Sequence, residues 1–183
     1  MKKIGRILLG AALALGIMVG NGSVEAHSMT ISEATLVVGS GQEGAGEIKP
    51  GDKLGKVIAL LGDNYELQDF GGEGIRMTKY IYASGSNFYG WGSQKETCPA
   101  EEVKLVGYTL KDNVAHTLSG IAVGSKYEQV EEKFGAGEKR EPRYNDKKGI
   151  TTYLYDLYNG VKELEFSVDE NGIIQKIAFR QEL

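Results

Sequence analysis

The chain has 183 residues, with 21 basic and 25 acidic side chains, two histidines and a single cysteine. A net charge of −4 without a basic patch argues against nucleic acid or an anionic lipid surface as partner. One cysteine excludes an intramolecular disulfide, and two histidines are too few for a three-histidine zinc site.

In chain order, residues 1–26 read as a signal peptide. Lys2, Lys3 and Arg6 form a positive start, an apolar stretch runs from Ile7 to Val19, and Val24-Glu25-Ala26 offers small residues at the cleavage positions. The apolar stretch is too short for a comfortable membrane span. Cleavage after Ala26 leaves a mature chain from His27 with 18 basic and 24 acidic residues, a net of −6. The expected destination is therefore secreted, extracellular or cell-envelope. Lone Cys98 is read as a small buried apolar residue.

Residues 27–45 are expected to hold an edge strand, around Ala34-Thr35-Leu36-Val37-Val38, and then a Gly-rich linker. The segment "IKPGDKLGKVIALLG" (48–62) then returns as "IAVGSKYEQVEEKFG" (121–135), 73 residues on, with five of fifteen positions identical. In the first copy Asp52 is expected to cap a short helix, and Leu54, Val57, Ile58 and Leu61 fall on one face of it. In the second, Ser125 and Glu128 spell a capping box, with Tyr127, Val130 and Phe134 as the apolar stripe. Gly62 and Gly135 end the two helices in the left-handed position.

Strands follow each helix. "MTKYIYASG" (77–85) and "ITTYLYDLY" (150–158) keep the same offset, and their alternating β-branched and aromatic residues fit strands. "EVKLVGYTL" (102–110) matches "IIQKIAFRQ" (173–181), and "ELEFSVDENGIIQKIAF" spells a hairpin around Asn171-Gly172. The expected fold class is α+β: two tandem units, residues 46–112 and 119–183, joined by a linker at 113–118. Each unit is a short helix on its own three- or four-stranded antiparallel sheet.

This doubled pattern of Ile-x-x-Gly-(Asp/Ser), short helix, Gly and antiparallel strands resembles the tandem-repeat β-lactamase inhibitory protein family. One unit is similar to the outer-membrane-assembly lipoproteins and to secreted domains of Gram-positive bacteria. The resemblance implies a two-layer unit whose sheets combine into a concave protein-binding surface. The disulfides of the former family and the lipidated cysteine of the latter are absent here, so only architecture carries over.

No nucleophile elbow, P-loop, zincin helix or EF-hand loop is present, and the chain is read as non-enzymatic, without cofactor or resident metal. The Gly-rich "GGEG" (71–74) reads as a turn. Asp63, Glu66 and Asp69 are read as solvated acids rather than a calcium site. The candidate partner-binding residues are aromatic: Tyr80, Tyr82, Tyr89, Trp91, Tyr108, Tyr153 and Tyr155. If their sheet face is open, it is an anchor for a protein. If it is covered, the rings pack beneath Leu54/Ile58 and Val130/Phe134, and strand parity alone does not choose. Two alternative functions stand beside a protein partner. One is an exported copper protein, in which the His27 amine and ring chelate with His116. The other is a glycan-binding module on the same Tyr/Trp face.

Overall fold

The computed structural model describes residues 28–39, 46–72, 75–93, 98–144 and 146–181. The signal-peptide reading, His27 and most of the Gly-rich linker lie outside these residues, as do Glu73 and Gly74 of the expected turn.

The first strand, β1 (Leu36–Val38), lies between β2 (Gly46–Ile48) and β7 (Ala115–Thr117) in a three-stranded antiparallel sheet. Two expectations are corrected here. Of the run at 34–38, Leu36–Val38 is a central strand rather than an edge, and the linker at 113–118 contains a strand of its own. Alternate side chains are buried in both, Leu36 and Val38 in β1 and Ala115 and Thr117 in β7, which recruits the short 115–117 segment into a sheet although composition alone marks it as loop.

The remaining strands are β3 (Tyr65–Gly72), β4 (Ile75–Tyr82), β5 (Asn87–Ser93), β6 (Lys104–Leu110), β8 (Glu138–Lys139), β9 (Thr151–Tyr158), β10 (Lys162–Val168) and β11 (Ile174–Gln181). They form one antiparallel sheet of eight strands in the order β3-β4-β5-β6-β11-β10-β9-β8. The α+β class holds, but the expected layout of two separate sheets does not. β6 and β11 pair directly, Leu110 opposite Ile177 and Gly107 opposite Arg180, so two four-strand meanders run together into one sheet. One buried cluster draws residues from both sheets and both helices, so the described residues share a single core.

Two helices lie on one face of the large sheet, α1 (Leu54–Leu61) and α2 (Glu128–Phe134). Their approaches are built alike. Leu54 N–H bonds Val103 O, and Leu105 exchanges bonds with Gly51 and Asp52; Tyr127 N–H bonds Gly172 O, and Ile174 exchanges bonds with Gly124 and Ser125. Neither helix has the side-chain cap expected of it. Asp52 accepts from Lys49 N–H and the Lys56 ammonium, and the Ser125 hydroxyl accepts from Ala122 N–H, so both close the turn before the helix instead. The carbonyls of Val103 and Gly172, each just before a strand, already supply the acceptors that a capping side chain would give.

Both helices end on a glycine. Gly62 has φ 86° and ψ 176°, and Gly135 has φ 79° and ψ −178°. This is an extended mirror region open in practice only to glycine, not the left-handed helical region expected from sequence. Each glycine N–H still closes the last helical turn, on Ile58 O and Glu131 O. The hairpin read around Asn171-Gly172 forms, but its turn spans Asp169–Gly172, closed by Gly172 N–H on Asp169 O, with Gly172 at φ 76° and the Asp169 carboxylate accepting from Asn171 and Ile173 N–H.

Candidate functional site

Strand parity separates two faces of the eight-stranded sheet. The inner face carries Tyr80, Phe88, Tyr108, Phe179, Leu164 and Tyr155, each directly opposite the next across six strands, and every one is buried. Neighbouring rings touch along this row: Phe88 to Tyr108 at 6.2 Å and Tyr108 to Phe179 at 5.8 Å between centroids. The row lies beneath the helices, and the apolar area it withdraws from water is a main source of stability.

Five of the seven predicted binding aromatics therefore belong to the interior side. Tyr80 and Tyr108 are fully buried, and burial raises both phenols far above their usual range. Tyr153 stacks on Tyr127 of the α2 approach, ring centroids 4.1 Å apart. Tyr82 and Tyr155, 73 residues apart, do the same job: each donates its hydroxyl to the carbonyl of a helix-ending glycine, Tyr82 to Gly62 at 3.1 Å and Tyr155 to Gly135 at 2.8 Å. Because Tyr155 spends its one proton on Gly135, the 2.9 Å contact with Tyr127 has Tyr127 donating, and Tyr127 accepts in turn from Gly137 N–H. Burial first, then the neighbouring Tyr65 and Asp63, pushes the Tyr82 phenol up to about 12. These hydroxyls fasten helices to strands. Of the two arrangements that strand parity leaves open, the structure has the covered one: the helices lie over the tyrosine side, so Tyr80, Tyr82, Tyr108, Tyr153 and Tyr155 do not form an open binding face.

The other two, Tyr89 and Trp91, point outward. On this helix-free face Phe70, Met77 and Trp91 lie in one cross-strand row, with Phe70 52% exposed and the other two half-buried. The next row holds Lys79, Tyr89, Gly107 and Arg180. The Tyr89 ring lies across Gly107 so closely that a Cβ there would sit 2.2 Å from its Cζ and hydroxyl. Burial raises the Tyr89 phenol, Arg180 opposes the shift and Glu165 adds to it.

Beside Tyr89 lies a charged cluster that the sequence reading did not single out. Lys176 and Arg180 bracket Ala178 on β11, and Glu165 of β10 stands directly opposite Ala178. The Glu165 side chain is 1% exposed, 3.7 Å from Lys176 Nζ and 3.3 Å from Arg180 Nε, yet neither carboxylate oxygen has a hydrogen-bond partner among the described residues. Toward the β8 side, Thr152 and Ser167 share a buried hydrogen bond of 3.0 Å, and the Arg140 guanidinium holds Asp146 and reaches Thr152 Oγ1. The signal was present in the sequence. In "ELEFSVD" and "IIQKIAFR" the charged residues alternate with Leu164, Phe166, Ile177 and Phe179, so a hairpin must gather Glu165, Lys176 and Arg180 on one side.

The metal readings gain no geometry. Glu66 and Asp69 lie on opposite faces of β3, and Asp69 forms a bidentate pair with Arg76. No group of three potential ligands occurs among the described residues. His116 is half-buried, with Nδ1 2.8 Å from Thr117 O, and the copper reading depends equally on His27, which lies outside the described residues. Cys98 is half-buried, its carbonyl accepting from the Arg76 guanidinium. No described helix is long and apolar enough to cross a membrane.

No protein-family model matches the chain, and no curated protein matches it. Among solved structures it is similar to a DUF4309 family protein (YjgB) from Bacillus subtilis subsp. subtilis str. 168, at 12% identity and a TM-score of 0.36, covering 71% of this chain and 78% of that one. A likeness at that level carries no argument about function.

Proposed function

We propose that this chain is an exported, non-enzymatic binding protein that engages a partner protein, an exported enzyme or a cell-envelope component, through the outer face of its eight-stranded sheet. Export rests on the signal-peptide pattern of residues 1–26. The observation that carries the docking reading is the distribution of aromatics between the faces. The inner row is consumed by the core, whereas Phe70, Met77 and Trp91 form an apolar row on the side without helices. An apolar row rimmed by charged residues has the make-up of an interface centre and its rim. The two halves are read as copies of one unit, a reading supported by their matched helix approaches and by the paired Tyr-to-Gly hydrogen bonds.

The test is capture from culture fluid and envelope fractions by the mature protein and by a Phe70→Ser/Trp91→Ser variant. The wild type is expected to retain a defined partner that the variant loses at unchanged melting temperature. Retention of the same partner by the variant overturns the assignment of this face. The glycan reading draws on the same surface, since Tyr89 and Trp91 both lie on it. It predicts that Trp91, the only tryptophan, changes emission on titration with cell-wall glycan; an unchanged spectrum removes it.

A further inference from the structure

We propose that Lys176 and Arg180, with the Tyr89 ring beside them, receive a carboxylate of the partner protein, and that Glu165 serves as their internal counter-ion while the site is free. This rests on the protein-binding reading and gives the partner a chemistry: an acidic side chain next to an apolar one.

The argument starts from Glu165. A carboxylate removed from water is expensive to keep unless its oxygens are hydrogen-bonded as well as ion-paired. Here the side chain is 1% exposed, and the only compensation among the described residues is proximity to Lys176 and Arg180, at 3.7 and 3.3 Å, without a hydrogen bond to either oxygen. The cations, by contrast, reach the surface: their side chains are 25% and 41% exposed. A guanidinium carries five donors and an ammonium three, and Glu165 engages none of them in hydrogen-bonding geometry. Two cations that flank a buried acid, with donors uncommitted to it, present a receiving site for an oxyanion. Burial lowers the proton affinity of Lys176, Glu165 pulls it back up, and Arg180 and Arg140 add smaller lowering effects.

Position favours a protein carboxylate over a free anion. The row containing Tyr89 and Arg180 is two residues along the same face from the row containing Met77 and Trp91. One extended segment can therefore lay an apolar side chain on Trp91 and an acidic one on Arg180. A chain of net charge −4 does not draw small free anions from a distance, whereas a partner anchored by apolar contact needs no such steering.

The experiment follows amide NMR shifts of the full mature protein on titration with an end-blocked Leu-Glu-Glu-Leu peptide, its Leu-Gln-Gln-Leu counterpart and inorganic phosphate. The Glu peptide is expected to shift residues around 176–180 and 89–91, with the Gln peptide and phosphate binding at least about tenfold more weakly. Lys176→Met and Arg180→Met are each expected to weaken the Glu peptide about tenfold, the usual size of a lost charge-assisted hydrogen bond. Glu165→Gln keeps the shape, removes the competing charge and is expected to strengthen binding several-fold. Weaker binding in Glu165→Gln, with its melting temperature unchanged, overturns the counter-ion role. Equal binding of phosphate and the Glu peptide overturns the protein-carboxylate assignment, and failure of all three ligands overturns the site. None of these results alters partner capture by way of Phe70 and Trp91, so this inference can fail while the proposed function stands.

Discussion

Four of the inner-face tyrosines are chemically alike, yet conservative replacement by phenylalanine should move stability in two directions. Tyr155→Phe removes the hydroxyl that bonds Gly135 O at 2.8 Å and that accepts from Tyr127 at 2.9 Å. A carbonyl and a phenol are left short of partners in a buried setting, which costs about 1–3 kcal/mol. In a domain of this size each kcal/mol is worth about 2–4 °C, so Tm should fall by about 2–12 °C. Tyr82→Phe breaks the equivalent 3.1 Å bond to Gly62, but the ring is only half-buried and water can replace it, so the loss should be about 0.5–1.5 kcal/mol. Tyr80 and Tyr108 are the opposite case. Their hydroxyls are buried with no partner among the described residues, so Tyr80→Phe and Tyr108→Phe relieve a desolvation cost and should leave Tm unchanged or raise it, by up to about 1 kcal/mol. Thermal melts followed by circular dichroism, with urea melts to check that the m-value is constant, read all four. If Tyr80→Phe and Tyr108→Phe destabilise as much as Tyr155→Phe, the distinction between fastening and unpartnered hydroxyls fails, and with it the account of why these tyrosines are here.

Two further substitutions test the shared construction of the halves. Gly62→Ala and Gly135→Ala force a Cβ into backbone with φ near +80° and extended ψ, and each should cost about 1–3 kcal/mol by urea denaturation; a neutral result at either helix end would mean that the two do not depend on glycine alike. Asp169→Ala removes the acceptor for both Asn171 and Ile173 N–H in the β10–β11 turn and should cost about 1–2 kcal/mol, read as lost amide-exchange protection along the hairpin; unchanged protection would show that Asn171-Gly172 sets the turn unaided.

How much of this was written in the chain depends on the range of the interaction involved. Alternation in "MTKYIYASG" and "ITTYLYDLY" placed β4 and β9 to within two or three residues, because a strand with one covered face must alternate. The apolar stripes of α1 and α2 were equally legible, as was the hairpin at Asn171-Gly172. The direct β6–β11 pairing was not, because nothing local distinguishes an edge strand from one that meets another half of the chain. The same holds for Ala115–Thr117, whose strand state comes from pairing with Leu36–Val38 rather than from its own few residues, and for the central place of Leu36–Val38, which reads as a strand but not as one with two neighbours. At the candidate site the seven aromatics read alike in the sequence; Tyr89 and Trp91 lie on the outer face, whereas Tyr80, Tyr82, Tyr108, Tyr153 and Tyr155 lie on the helix side, since parity groups residues by face without saying where a helix will settle. Glu165, Lys176 and Arg180 were missed for a different reason. Each reads as an ordinary solvated charge until the hairpin register sets the acid between the two bases.

The meeting line of β6 and β11 has a practical consequence. It aligns only Gly107–Leu110 with Ile177–Arg180, while Tyr108 and Phe179 join there through their rings. The covalent link between the halves crosses the exposed turn at Leu118 and Gly120, and no strand passes through it. A protease nick at that turn would sever a peptide bond without separating any hydrogen-bonded strand pair, and the two fragments should stay associated until heat or urea melts the core they share, which makes the molecule a natural candidate for a split-protein reporter.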